Sequence, residues 1–176
     1  MNICVFCGSA AGNNPLYASL ATEFGKLLAE GGHSLVYGGG NIGLMGVIAD
    51  IVLENHGKVI GVIPSFLAQR EVAHQQLTQL EIVGTMHERK MRMAELANAF
   101  VVLPGGWGTL DEMAEILTWK QLGLVNQNLF ILNSNNFFDP LLDQMRFMVK
   151  EGFLRQENLD SVVIANSPQQ LFSMIP

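Results

Sequence analysis

Seven short apolar runs, with helical patterns between most of them, constrain this chain more than any other feature. The runs fall at residues 3–6, 34–37, 59–63, 80–83, 100–103, 129–132 and 162–165. Each fits a strand covered on both faces. Helical patterns lie between them at about 15–30, 43–55, 86–98, 109–122, 138–151 and 168–174. Pro15 suits a first helical turn, and Gly31-Gly32 suits a C-terminal stop. Alternating strand and helix implies an α/β chain, a three-layer sandwich in which a mostly parallel sheet is flanked by helices. Residues 64–79 are less regular; a loop with a short helix is expected there, placed to act as a lid. No repeat, low-complexity tract or linker interrupts residues 1–176, so a single domain is expected, long enough to bury a full core.

In open parallel sheets, ligands bind at the carboxyl ends of the strands, where the strand order reverses. Three glycine-rich segments follow apolar runs and fall at such ends: Gly8-Ser9, Gly38-Gly39-Gly40-Asn41-Ile42-Gly43, and Gly105-Gly106-Trp107-Gly108. Loops from separate strands should therefore meet at one crevice. The third segment, continued through Thr109-Leu110-Asp111-Glu112, has the makings of an anion site. Glycines let main-chain N–H groups approach a ligand, and the start of a helix adds partial positive charge. It lacks the Lys of a P-loop, so a triphosphate is not indicated, whereas N–H groups and the Thr109 hydroxyl suffice for a monophosphate. Glu112 brings a carboxylate beside that cradle. Thr109-x-x-Glu112 is also a capping-box pattern, so the sequence leaves Glu112 open between helix capping and catalysis. Glu115 lies one turn further on the same side, either solvated or facing the crevice to bind sugar hydroxyls.

The segment from Gly38 to Gly43 satisfies G-x-G-x-x-G between a strand and a helix. A dinucleotide site would also place an acid at the end of the next strand, which instead reads Val62-Ile63-Pro64. The pattern is either a tight turn aiming a helix N-terminus at the crevice or turn glycines alone. In Met86-His87-Glu88-Arg89-Lys90, two cations near a helix N-terminus oppose the macrodipole. An anionic ligand or nearby carboxylates would compensate; a solvated charged face is the alternative. Position 91 is Met, so His87-Glu88 does not begin a zinc-binding H-E-x-x-H motif. Met91, Met93 and Leu96 read as packing residues; His33, His56 and His74 read as surface or loop residues. Cys4 and Cys7 lie three apart along a strand, on opposite faces, and read as packing residues rather than a redox or zinc pair.

Apolar residues make up 49% of the chain and charged residues only 15%, which points to apolar surface buried in an oligomer. The net charge of −6, without a basic cluster, argues against a nucleic-acid partner. No run is long enough to cross a bilayer, and Met1-Asn2 does not begin a signal peptide, so a cytoplasmic protein without a membrane partner is expected.

Taken together, Met86-His87-Glu88-Arg89-Lys90 and Pro104-Gly105-Gly106-x-Gly108-Thr109-x-x-Glu112 resemble the LOG family of cytokinin riboside 5′-monophosphate phosphoribohydrolases, long labelled lysine decarboxylases. The resemblance spans nearly the whole chain, including Cys7-Gly8-Ser9 and Tyr37-Gly38-Gly39-Gly40-x-x-Gly43-Leu44-Met45-Gly46. It implies a Rossmann-like fold, a homodimer, and hydrolysis of the N-glycosidic bond of a nucleoside 5′-monophosphate to free base and ribose 5-phosphate. By matching positions it makes Arg89 and Glu112 the catalytic pair. It extends the substrate site to Met86 and Lys90, to Gly105, to the run Gly106, Trp107, Gly108 and Thr109 that continues to Glu112, to Glu115 and Thr118, and to Glu71. Ser9, Gly39 and Gly40 join from the other two crevice loops. No metal or cofactor is implied, and the segment from Ile116 to Leu122 is apolar enough to join a dimer interface. The decarboxylase label gains no support, since no motif for a pyridoxal-bearing Lys is evident. The alternative is a nucleotide or molybdenum-cofactor carrier without catalysis, against which an intact Arg89 and Glu112 weigh. A dinucleotide-dependent oxidoreductase stands further off, for want of the acid.

Overall fold

The computed structural model describes residues 1–68 and 73–175. Each apolar run becomes a strand: β1 (Asn2–Phe6), β2 (Ser34–Tyr37), β3 (Lys58–Pro64), β4 (Gln79–Val83), β5 (Ala99–Val102), β6 (Leu129–Leu132) and β7 (Val162–Ala165). They form one seven-stranded sheet in the order β4-β3-β2-β1-β5-β6-β7. Every pairing is parallel, so the sheet is parallel throughout among the described residues. The order reverses between β1 and β5, where Ile3 pairs with Ala99 and Phe6 with Val102. The switch point thus lies at the centre of the sheet.

The expected helices are α1 (Leu16–Glu30), α2 (Gly43–Glu54), α4 (Met86–Leu96), α5 (Trp107–Gln121), α6 (Asp139–Lys150) and α8 (Pro168–Met174). Residues 64–79 contain a short helix, α3 (Ser65–Ala68). A 3-10 turn (Ser134–Asn136) and α7 (Gln156–Asp160) were not legible in the sequence, being too short to develop an apolar period.

Side-chain alternation along the strands makes the three layers. Ile3, Val5, Leu35 and Tyr37 join one core with Phe24 and Leu28 of α1 and Ile48 and Val52 of α2. Cys4, Phe6, Val36 and Phe100 point the other way, into a core with Met93 of α4, Met113 and Ile116 of α5 and Leu142 of α6. Cys4 and Cys7 are free and buried in opposite cores, as the strand period requires. Burial pushes both thiols above their ordinary pKa, so they pack as protonated apolar groups.

The start of α5 departs from expectation. The helix begins at Trp107, with Gly106 at its N-cap, so Thr109 sits inside the first turn and does not cap it. The functioning capping box belongs to α4. There Thr85 Oγ1 accepts from the Glu88 N–H at 3.1 Å, and Glu88 Oε2 accepts from the Gly84 N–H at 2.7 Å.

Candidate active site at the switch point

The loops after β1 and β5 meet where the strand order reverses. The Gly8 N–H donates to the Pro104 carbonyl at 3.0 Å, and the Leu44 N–H at the start of α2 donates to the Gly8 carbonyl at 3.0 Å. Glycine is required on both sides of this junction. A Cβ at Gly105 would lie 2.1 Å from Thr109 Oγ1, and one at Gly43, where φ is +62°, would lie 2.3 Å from the Ser9 carbonyl carbon. The N-terminus of α2 is thus partly used in holding the Gly8-Ser9 loop.

A cavity of about 170 Å³ opens above this junction. Its walls are Cys7, Gly8, Ser9 and Met45 on one side, and Gly106, Trp107, Gly108 and Thr109 on the other, with Arg89 and Glu112. The first intrahelical bond of α5 runs from the Leu110 N–H to the Gly106 carbonyl, so the N–H groups of Trp107, Gly108 and Thr109 precede the ladder and have no acceptor within the helix. That is the anion-binding end of a helix, lining a cavity. A second cavity of about 220 Å³ adjoins it, sharing Gly8, Ser9 and Gly106 and adding Gly105, Tyr17 and Phe137.

Arg89 is 7% exposed. Its Nε donates to the Val62 carbonyl at 3.1 Å and its Nη2 to the Gly38 carbonyl at 3.0 Å, so the ends of β3 and β2 both hold the guanidinium. Nη1 lies 3.9 Å from Met86 Sδ. Burial this deep excludes the solvated-face reading for Arg89. Lys90 is equally unlike a solvated cation. Its Nζ lies 2.7 Å from Asp111 and 3.3 Å from Glu115, so carboxylates of α5 compensate the charge that the start of α4 disfavours. Burial works to lower the Lys90 pKa, but the bonds to these two carboxylates outweigh it and hold the group above its usual value.

Glu112 is pushed up to about 7. Burial is the main cause; the Arg89 charge opposes it, Asp111 adds to it, Lys90 opposes and Glu115 adds. Glu112 is half-buried and lies in the cavity wall. A carboxyl that titrates near neutrality beside a fixed guanidinium can exist in either protonation state under working conditions, which suits acid–base or cation-stabilising chemistry.

The structure therefore brings Ser9, Arg89, Gly106, Gly108, Thr109 and Glu112 to one cavity, with Met86, Lys90 and Glu115 in contact just behind its wall and Gly105 in the adjoining one. Gly39 and Gly40 do not line it; they form the turn whose first residue, Gly38, holds Arg89. Thr118 is not brought there either: it lies on an apolar groove between α5 and α6, its hydroxyl donating to the Ala114 carbonyl at 2.8 Å. Glu71 lies outside the described residues. Trp107, inside the expected lining from Gly106 to Glu112, is a wall residue and stands 88% exposed within the glycine loop. His74, expected on the surface or in a loop, does lie in a loop but is buried there, 4% exposed with Nε2 2.8 Å from Asp50 Oδ1. A partner so distant in sequence leaves no pattern to read.

A family profile described as "Possible lysine decarboxylase" matches residues 45–175. The cytokinin riboside 5′-monophosphate phosphoribohydrolase LOG of Oryza sativa subsp. japonica is 44% identical over 96% of this chain and 70% of its own length. The cytokinin riboside 5′-monophosphate phosphoribohydrolase of Rhodococcoides fascians is 44% identical over 93% of this chain and 83% of its own. Among solved structures, a molybdenum cofactor binding protein from Rippkaea orientalis superposes with a TM-score of 0.73 at 22% identity, covering 98% of this chain and 93% of that one. A Moco carrier protein from Chlamydomonas reinhardtii gives 0.72 at 21%, with the same coverage. At such identity these two establish a shared fold alone. With the sequence matches extending over nearly its whole length, the chain belongs to the LOG family of phosphoribohydrolases, the family whose profile still carries the lysine decarboxylase description.

Proposed function

We propose that this protein hydrolyses the N-glycosidic bond of a nucleoside 5′-monophosphate, a cytokinin riboside 5′-monophosphate or AMP, to the free base and ribose 5-phosphate. The observation that carries the reading is Glu112, held near neutrality next to the buried Arg89 guanidinium at the anion-binding end of α5. The 5′-phosphate sits on the free N–H groups of Trp107, Gly108 and Thr109 and beside the Thr109 hydroxyl. Cleavage of the bond builds positive charge on C1′ and the ring oxygen, which the Glu112 carboxylate stabilises as it orients water. The water oxygen bonds to C1′, and the electron pair of the broken C1′–N bond leaves with the base. Arg89 offsets that negative charge or holds Glu112 in place, and the base leaves with a proton supplied from the water. Phosphate binding far from the breaking bond positions the sugar.

The sequence relatives at 40–44% identity are named as phosphoribohydrolases, whereas the cofactor carriers share only the fold, so catalysis is favoured over carriage. Chromatography after incubation with AMP, with adenosine and with isopentenyladenosine monophosphate tests the reading. Free base from the nucleotides, with little from adenosine, is the expected result. No base from either nucleotide overturns it.

We also propose that the protein works as a homodimer in the cytoplasm. An apolar groove of about 380 Å³ runs between α5 and α6, walled by Leu110, Met113, Leu117, Met145 and Met148. Leu122, Leu124, Phe147 and Phe153 are exposed nearby in sequence, a larger apolar surface than a lone chain of this charge content tolerates well. No helix among the described residues is long and apolar enough to cross a membrane. Sedimentation of the wild type and of Leu117→Asp checks the assembly; a monomeric wild type refutes it.

A further inference from the structure

The guanidinium of Arg89 depends on a main-chain carbonyl, Gly38 O, that belongs to a flexible glycine turn. Something must hold that turn, and the contacts that do so come from a segment beyond β3. Gly40 pairs with Ala73 in an isolated antiparallel bridge, and the His74 N–H donates to the Gly39 carbonyl at 3.1 Å. The His74 ring is in turn fixed at both nitrogens. Nδ1 accepts from the Gln76 N–H at 3.2 Å, so Nδ1 carries no proton; Nε2 therefore carries it and donates to Asp50 Oδ1 at 2.8 Å. Asp50 stands on α2, whose first turn braces the Gly8-Ser9 loop on the far side of the cavity.

We propose that His74, oriented by Asp50, is a positioning residue for Arg89: it clamps the Gly39-Gly40 turn so that the Gly38 carbonyl meets Nη2. The inference rests on the catalytic reading of Arg89. A ring tied only to stabilise its own loop would not need to place a main-chain donor on the turn that holds the guanidinium. The chain of contacts Asp50–His74–Gly39–Gly38–Arg89 is continuous, and each link beyond the peptide bonds is a hydrogen bond of 2.8–3.1 Å. An error of about 1 Å in a positioned group can cost on the order of a hundredfold in rate.

Asp50 is the safe place to cut, since its side chain is 54% exposed and the variant should fold. Asp50→Ala and His74→Asn, which keeps an acceptor near Nδ1 but cannot reach Asp50, should lower kcat on AMP on the order of tenfold or more, with KM little changed. Asp50→Asn still accepts from Nε2, and His74→Gln places an amide nitrogen at the Nε2 position, so both should recover most of the lost rate. Solvent exchange at the Arg89 Nη2 protons, followed by nitrogen NMR, reads the positioning without turnover and should quicken in Asp50→Ala. Unchanged kcat and unchanged exchange in Asp50→Ala, with only the melting temperature lowered, would overturn the proposal. If the wild type releases no base, the catalytic reading of Arg89 fails, while the exchange measurement still decides whether His74 positions it.

Discussion

Gly38 lacks a side chain because Arg89 occupies its place: a Cβ there would stand 1.8 Å from Arg89 Nη2 and 2.9 Å from Cζ. The β2 turn and the guanidinium are thus built around each other, and β3 completes the cradle through the Val62 carbonyl. Gly38→Ala must therefore move the guanidinium or the turn. A loss of activity on the order of a hundredfold is expected, with the far-ultraviolet dichroism of a folded protein. Wild-type kcat in a folded Gly38→Ala would show that the reaction does not need Arg89 where it stands.

On the proposed mechanism, Glu112 should set the pH dependence of the reaction. As a carboxylate stabilising positive charge, it should be active when ionised, so kcat/KM should rise with pH and bend at about 7. Glu112→Gln keeps the shape but not the charge and should be folded and inactive. A profile flat from mildly acidic to mildly basic pH would remove Glu112 from the reacting centre.

The same shift makes Glu112 a cost to stability. Its folded pKa lies above the ordinary carboxylate value, so between about 4.5 and about 7 the folded state binds more protons than the unfolded one. Unfolding free energy must then fall as pH rises through that window. Glu112→Gln escapes this penalty and should melt higher than wild type above pH 7, by an amount on the order of 1–3 kcal/mol, with the advantage shrinking toward acid pH. Melting curves at several pH values would check it; a variant less stable than wild type at basic pH would mean that the carboxylate is well solvated or well paired.

Capping offers a structural contrast. Thr85 caps α4, and Thr85→Ala should cost about 1 kcal/mol of stability. Thr109 caps nothing, so Thr109→Val, which removes the hydroxyl and keeps the volume, should leave stability near that of wild type. Urea unfolding of both variants separates the two Thr-x-x-Glu patterns. Equal losses would contradict the start of α5 at Trp107.

The parallel strands, most of the helices and the convergence of the glycine loops were written into local pattern. A strand buried on both faces needs a continuous apolar run, and a crossover helix needs its own period, and both survive in a window of a few residues. The paired motifs around Arg89 and Glu112 were legible for the same reason. The tertiary structure decided what depends on distant partners. It buried Arg89 on the carbonyls of Gly38 and Val62, matched Lys90 with Asp111 and Glu115, and gave His74 its Asp50. It removed the capping reading of Glu112 by starting α5 two residues earlier, which no local rule foretells, because both Thr85-x-x-Glu88 and Thr109-x-x-Glu112 fit the capping pattern. It raised the Glu112 pKa through burial and a field summed over α4 and α5. Hydrogen bonds to main-chain carbonyls and the desolvation of a charge depend on which segments are folded together, and a sequence read one window at a time does not contain that information.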